Sequence, residues 1–98
     1  MNFDYYRIFY YAARYKNFTQ AAAALMSSQP YVTRVIHNLE HELGCRLFVR
    51  SNRGISLTPE GERLYRHVAL ALEELQAGEA ELSSHLSLQG GDSFHRGQ

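Results

Sequence analysis

The stretch FTQAAAALMSSQPYVTRVIHNLEHELG, residues 18–44, decides the fold. It holds two helical patterns with a serine pair between them. The first, after Thr19, is QAAAALM, where alanine favours helix and lets a neighbour approach closely. Ala22, Leu25 and Met26 sit at i, i+3 and i+4, so they are expected to face inward. Thr19 is the candidate N-cap. At about two turns, this helix needs neighbours to persist. Ser27-Ser28 interrupts the pattern, Ser28 is the next N-cap candidate, and Pro30 falls in a first turn where its missing N–H is harmless. From there Val32, Val35, Ile36, Leu39 and Leu43 form one apolar stripe. Thr33, Arg34, His37 and His41 take the remaining surface, and Gly44 suits a helix stop.

Two helices joined by so short a turn form a helix-turn-helix, at about residues 18–37. Working towards the N-terminus, Phe3, Tyr6, Phe9, Tyr10 and Ala13 recur at helical spacing, which predicts a helix from about Asp4 to Tyr15, ended by Lys16-Asn17. Working towards the C-terminus, the period changes after Gly44. Residues 46–50 and 55–58 read as strands around an SNRG turn, which makes a wing over about 46–58. Thr58-Pro59 then opens a long helix, with Glu60 and Glu62 in its first turn. Leu64, Val68, Leu72, Leu75, Leu82 and Leu86 run along it, interrupted at Gly78-Glu79. The small core cannot cover so long a stripe, so a partner helix is expected to do it. The last ten residues, 89–98, are expected to be a flexible tail.

Composition bounds the class. The 98 residues are 45% hydrophobic and 20% charged, ordinary for one small domain. No run reaches a membrane span and MNFDYYR is no signal peptide, so a cytoplasmic location is expected. The lone cysteine, Cys45, reads as a small buried hydrophobe. The net charge of zero hides an asymmetry. Residues 1–58 carry seven Lys/Arg against three Asp/Glu, a balance of +4, and residues 59–98 carry three against seven, a balance of −4. A basic front fits a nucleic-acid face; a solvated acidic helix explains the rear equally well.

In a helix-turn-helix the start of the second helix meets base edges in the major groove. Here that start is Ser28-Gln29-Pro30-Tyr31, with Thr33-Arg34 one turn on. Gln29 suits adenine and Arg34 guanine, Pro30 and Thr33 suit a thymine methyl, and Ser28 with its neighbouring N–H groups suits phosphate. Arg50 and Arg53 flank the wing tip, within reach of phosphate or a narrow minor groove. Taken singly, Gln29 and Pro30 equally suit helix initiation, and Arg34 a solvated charge. The combination is what points to DNA.

The stretch from Phe18 to Leu64 resembles the N-terminal domain of LysR-type transcription regulators. It matches their pattern at Phe18, Thr19, Ala21, Ala22, Leu25, Ser28, Gln29, Pro30, Ile36, Leu39, Glu40, Leu43, Gly44, Leu47, Phe48, Arg50, Leu57, Thr58 and Gly61, without gaps. The resemblance implies a mainly α fold: a winged helix-turn-helix of three helices and a two-stranded wing over 1–58, followed by a dimerisation helix over 59–88. It implies double-stranded DNA as partner, bound as a homodimer at an interrupted inverted repeat, with tetramers open to the full-length protein. The expected DNA contacts are Thr19, Ser28, Gln29, Pro30, Tyr31, Thr33, Arg34, Arg50 and Arg53, and the expected dimer contacts Leu64, Val68, Leu72, Leu75 and Leu82. A small-molecule inducer is expected to act only through an effector-binding domain that this chain lacks. Tyr31 departs from the family's usual alanine, and either adds a phosphate bond or re-aims the helix. Thr33 replaces serine but keeps the hydroxyl. The tyrosine-rich first helix, with Tyr5, Tyr6, Tyr10, Tyr11 and Tyr15, is expected to pack in part on the partner's long helix.

Two other classes compete. An enzyme would use His37, Glu40 and His41 as a metal site, yet Asn38 stands where a zinc protease needs its glutamate, and no third ligand is evident. No metal, cofactor or catalytic residue is therefore expected. A winged helix used only for protein contact would leave the Arg-bearing wing unexplained.

Overall fold

A computed structural model describes residues 2–88; the expected tail, 89–98, lies outside the described residues. The elements run α1 (Phe3–Tyr15), α2 (Phe18–Ala24), α3 (Gln29–Leu43), β1 (Phe48–Ser51), β2 (Gly54–Leu57) and α4 (Pro59–Leu88). This is a winged helix-turn-helix followed by one long helix.

The helix starts are set by side-chain caps. Asn2 accepts from the Asp4 N–H at 2.8 Å and starts α1. Asn17, not Thr19, caps α2 by accepting from the Gln20 N–H at 2.9 Å. The helix therefore begins two residues earlier than Thr19 suggests, and Thr19 is an exposed residue within it. Ser28 caps α3, its hydroxyl accepting from the Tyr31 N–H at 3.3 Å.

The end of α2 corrects a second expectation. Met26 is 93% exposed rather than inward. The helix stops at Ala24, and the Ser27 and Met26 N–H groups fold back onto the Ala22 and Ala23 carbonyls at 2.8 and 3.1 Å. This is a Schellman ending with a methionine, φ 57°, where glycine is commonest. The left-handed residue turns the chain, so helical spacing no longer applies to Met26. Leu43 (37% exposed) and Phe3 (55%) also sit outside the core, at helix ends that overrun it.

The core is built from Phe9 and Ala12 of α1, Ala21 and Ala22 of α2, Val32, Val35, Ile36 and Leu39 of α3, Leu47 and Phe48 at the wing base and Val68 of α4. Phe48 is met by Phe9 and Phe18 with ring centroids 5.6 and 5.4 Å away. The two alanines of α2 let it approach α1 and α3 closely. Cys45 is half-buried and packs against this core.

The wing is an antiparallel pair with Val49 opposite Ser56 and Arg50 opposite Ile55. Gly54, at φ 114°, closes the two-residue turn. The strands are shifted from the expected 46–50 and 55–58 because residues 46–47 bond elsewhere. Glu40 Oε2 accepts from the Leu47 N–H at 2.7 Å and from the Phe48 N–H at 3.3 Å. The buried Thr58 hydroxyl donates to the Arg46 carbonyl at 2.7 Å and accepts from the Gly61 N–H at 2.9 Å. Thr58 thus caps α4 and ties its first turn to the wing base. A Cβ at Gly61 would overlap the Leu47 carbonyl oxygen, so only glycine fits there.

The apolar stripe of α4 is divided. Val68 is buried, and Leu64 and Leu72 pack against the chain's own core. Leu75 and Leu82 are 50% and 63% exposed, as is Leu70 at 64% on the outer side. Every residue from Glu73 to His85 is exposed, and of the Leu86 side chain nothing is described. At ~1.5 Å per residue, roughly 24 Å of helix lies beyond its last core contact.

The tyrosines of α1 serve this same chain first. Tyr10 stacks on Tyr65 of α4 with ring centroids 5.4 Å apart and planes 4° from parallel. Arg14 donates to the Tyr10 hydroxyl at 3.1 Å, which holds the guanidinium pKa above its ordinary value. Burial, then the neighbouring Tyr10, pushes the Tyr65 phenol above its usual 10.0. Tyr5 accepts from Asn38 of α3 at 3.4 Å.

Candidate nucleic-acid interface

The surface of α3 is arranged by its period. Val32, Val35, Ile36 and Leu39 point into the core, so Pro30, Arg34, His37 and His41 recur on the opposite side, all exposed. This stripe begins at the cap Ser28 and runs the length of the helix. Beside it, Gln29 Nε2 donates to the Thr33 hydroxyl at 2.6 Å. That bond holds the amide in one orientation and leaves its carbonyl oxygen free to accept. On the other flank the Arg34 guanidinium lies over the Tyr31 ring, 5.9 Å from its centroid. Tyr31, where the family pattern has alanine, is therefore a platform that steadies Arg34.

A cleft of about 240 Å³ opens between the helix-turn-helix and the wing. Its walls are Lys16 at the end of α1, Asn17, Phe18 and Thr19 at the start of α2, Gln29 at the start of α3, and Arg50, Gly54 and Ile55 of the wing. No carboxylate lines it. Ion pairing elsewhere sharpens the contrast. Before Pro59, Arg7 pairs with Asp4 at 3.1 Å and Arg46 approaches Glu40 at 3.6 Å. Arg14 is engaged by Tyr10 and Arg34 by Tyr31. Lys16, Arg50 and Arg53 have no acidic partner among the described residues. Two of these three cations share the cleft. The arrangement can accept a polyanion along one side of the molecule: free cations at the cleft, N–H and hydroxyl donors at the start of α3, and a polar outward stripe on α3.

Of the DNA contacts expected from sequence, Thr19, Gln29 and Arg50 meet in the cleft, and Thr33 joins through Gln29. Ser28, Pro30, Tyr31 and Arg34 occupy the adjoining first turns of α3. Arg53 stands apart at the wing tip, exposed and outside the cleft lining. Sequence reasoning passed over Lys16 and Asn17, which read as nothing more than a polar turn. The signal available for Lys16 was its position between two helical patterns, where a side chain emerges beside the next helix start.

The carboxylate of the competing metal reading is otherwise engaged, while His37 and His41 are exposed on α3. Glu40 spends its carboxylate on the wing backbone. Among the described residues no group of three or more His, Cys, Asp or Glu is placed to hold a metal ion. No helix among them is long and apolar enough to cross a membrane.

Comparison with known proteins agrees with this geometry. A family profile described as the bacterial regulatory helix-turn-helix protein, lysR family, matches residues 3–62. The chain is 40% identical to the HTH-type transcriptional regulator CitR of Bacillus subtilis over 84% of this chain, and spans 28% of CitR. It is 38% identical to the regulator BudR of Klebsiella aerogenes, over 97% of this chain and 73% of BudR. Among solved structures, the BenM DNA-binding domain in complex with catB site 1 DNA superposes with a TM-score of 0.78 at 30% identity, covering 98% of this chain and 100% of that one. The CbnR DNA-binding domain in complex with DNA gives 0.72 at 35% identity, covering 90% and 99%.

Proposed function

This chain belongs to the lysR family of bacterial regulatory helix-turn-helix proteins, and we propose on that premise that it binds double-stranded DNA sequence-specifically as the DNA-reading part of a cytoplasmic transcription regulator. The observation that carries this reading is the cleft. It gathers Lys16 from the end of α1, Thr19 from α2, Gln29 from α3 and Arg50 from the wing, without a carboxylate, next to the exposed start of α3. Residues 1–58 are the reading unit. The first turns of α3 enter the major groove, where Gln29 and Arg34 meet base edges and Pro30 and Thr33 meet thymine methyls. Ser28, Tyr31, Thr19 and Arg50 serve the flanking phosphates. Arg53 reaches phosphate or minor groove from the wing tip.

Residues 59–88 pair two copies. Leu75 and Leu82 remain exposed on the face that Leu64, Val68 and Leu72 turn to the core, and a second α4 is the simplest cover for them. Two reading units so joined address half-sites about one helical turn apart, or a multiple of it, as an interrupted inverted repeat. Effector sensing belongs to a domain other than the one described, and a tetramer to the full-length protein.

The test is a fluorescence-anisotropy titration of the chain against duplex from its own upstream region and a scrambled control, across a salt series. Tighter binding to the upstream duplex that persists as salt rises supports the reading. Arg34→Ala should then lose about 1–3 kcal/mol on the preferred site alone, and Arg53→Ala should weaken both duplexes alike. No binding to either duplex at low salt would move the function to protein contact.

A further inference from the structure

We propose that Lys16, at the C-terminal end of α1, is a DNA-contact residue whose ammonium takes a backbone phosphate at the cleft it shares with Thr19 and Arg50. The proposal rests on the DNA-binding reading above and deepens it.

Three observations carry it. Lys16 lines the cleft together with Arg50, and neither has an acidic partner among the described residues. Two like charges flank an opening with no carboxylate in its walls, an arrangement whose repulsion an anion relieves. The backbone of Lys16 is left-handed, φ 53°, closing α1 with its N–H on the Ala12 carbonyl at 2.9 Å. Glycine or asparagine holds that conformation more readily than a long side chain does. Lysine is thus a poor choice for the turn and a good one for the charge. The opening also has the right chemistry for a phosphodiester. The Thr19 hydroxyl stands in the same walls, and the exposed first turn of α3 begins beside it at Gln29. A strand whose bases meet α3 would pass its phosphates along this side. A competing explanation is that Lys16 steadies the carbonyl end of α1, as cations at helix C-termini do.

Lys16→Asn separates the two, because asparagine tolerates the left-handed backbone while removing the charge. The full chain, Lys16→Asn and Lys16→Arg are titrated by anisotropy against upstream and scrambled duplexes at several salt concentrations, with thermal unfolding measured in parallel. The expected result is a log K against log salt slope shallower by about 0.9 for Lys16→Asn. That is about an eightfold loss of affinity at 0.1 M salt, closing as salt rises, and equal on both duplexes. Its melting temperature stays level or rises, and Lys16→Arg restores the slope. An unchanged slope in a parent that binds DNA overturns the proposal, and a lowered melting temperature alongside it assigns Lys16 to the helix end. A parent that binds no duplex at low salt fails the DNA-binding reading itself, and the proposal falls with it.

Discussion

Replacing Glu40 by leucine should cost the domain about 2–4 kcal/mol, because the carboxylate serves the backbone of the wing base. Its Oε2 receives the Leu47 N–H at 2.7 Å and the Phe48 N–H at 3.3 Å. Both donors belong to residues 5% exposed or less, so water does not replace a lost acceptor cheaply. Leaving a buried donor unsatisfied costs about 1–3 kcal/mol. The shorter bond belongs near the top of that range and the longer one near the bottom. Arg46 adds little, since its side chain is 74% exposed and its approach to Glu40 is 3.6 Å; such pairs contribute about 0–1 kcal/mol. Glu40→Gln keeps an acceptor oxygen and loses only the charge, about 1 kcal/mol. For a domain of this size each kcal/mol moves the midpoint by about 4–8 °C, so the leucine variant should melt roughly 8–32 °C early. Thermal unfolding followed by far-ultraviolet circular dichroism, at one fixed protein concentration, compares the parent, Glu40→Gln, Glu40→Leu and Arg46→Ala. A leucine variant within about 0.5 kcal/mol of the parent, the range of surface substitutions without special contacts, would show that the Leu47 and Phe48 N–H groups do not depend on Glu40. Equal losses in Glu40→Leu and Arg46→Ala would show that the carboxylate acts through Arg46 and not through the wing.

Gly61→Ala should destabilise by about 1–3 kcal/mol in urea unfolding, because the new Cβ meets the backbone carbonyl of Leu47, which cannot swing aside. Met26→Gly should stabilise by about 0.4–1 kcal/mol in the same assay, by relieving the left-handed methionine at the end of α2. Leu75→Ala with Leu82→Ala should weaken self-association at least tenfold in sedimentation while leaving the unfolding of residues 1–58 unchanged, since each substitution counts twice in a symmetric pair and both side chains are at least half exposed in one copy. Tyr65 gives an alkaline signature. Its folded-state pKa lies above the unfolded 10.0, so its contribution is complete below pH 10 and is lost as pH rises through the folded value. Urea unfolding between pH 9 and 11, a span set around the tyrosine range, should show that loss in the parent and a shallower one in Tyr65→Phe.

The helices were legible because burial imposes a period. Val32, Val35, Ile36 and Leu39 announce α3 and its core face, and all four are buried. Ser28 and Gly44 mark its ends by chemistry that acts within one turn. What escaped depends on residues that meet only after the chain has turned. Glu40 looks like a surface charge or a metal-ligand candidate until the turn at Gly44 brings Leu47 back to it. The Thr58 hydroxyl reads as a helix cap, which it is, but its bond to Arg46 spans twelve residues. Met26 misled because a period extrapolates past the point where a helix stops. Lys16 was overlooked because its neighbours in the cleft, Gln29 and Arg50, come from two other elements.

The double engagement of Thr58 makes the long helix a lever with its fulcrum at the wing. One hydroxyl joins the first turn of α4 to the strand base at Arg46, and the Thr58 N–H adds a second tether to the Leu47 carbonyl at 3.0 Å. A helix of this length is about 45 Å long, so a tilt of about 5° at the fulcrum sweeps its far end by roughly 4 Å. Because Glu40 also holds the wing base to α3, and Leu64, Val68 and Leu72 seat the near half of α4 on the core, that tilt is kept small. The direction in which the far half of the rod leaves the domain is thereby set at the wing base.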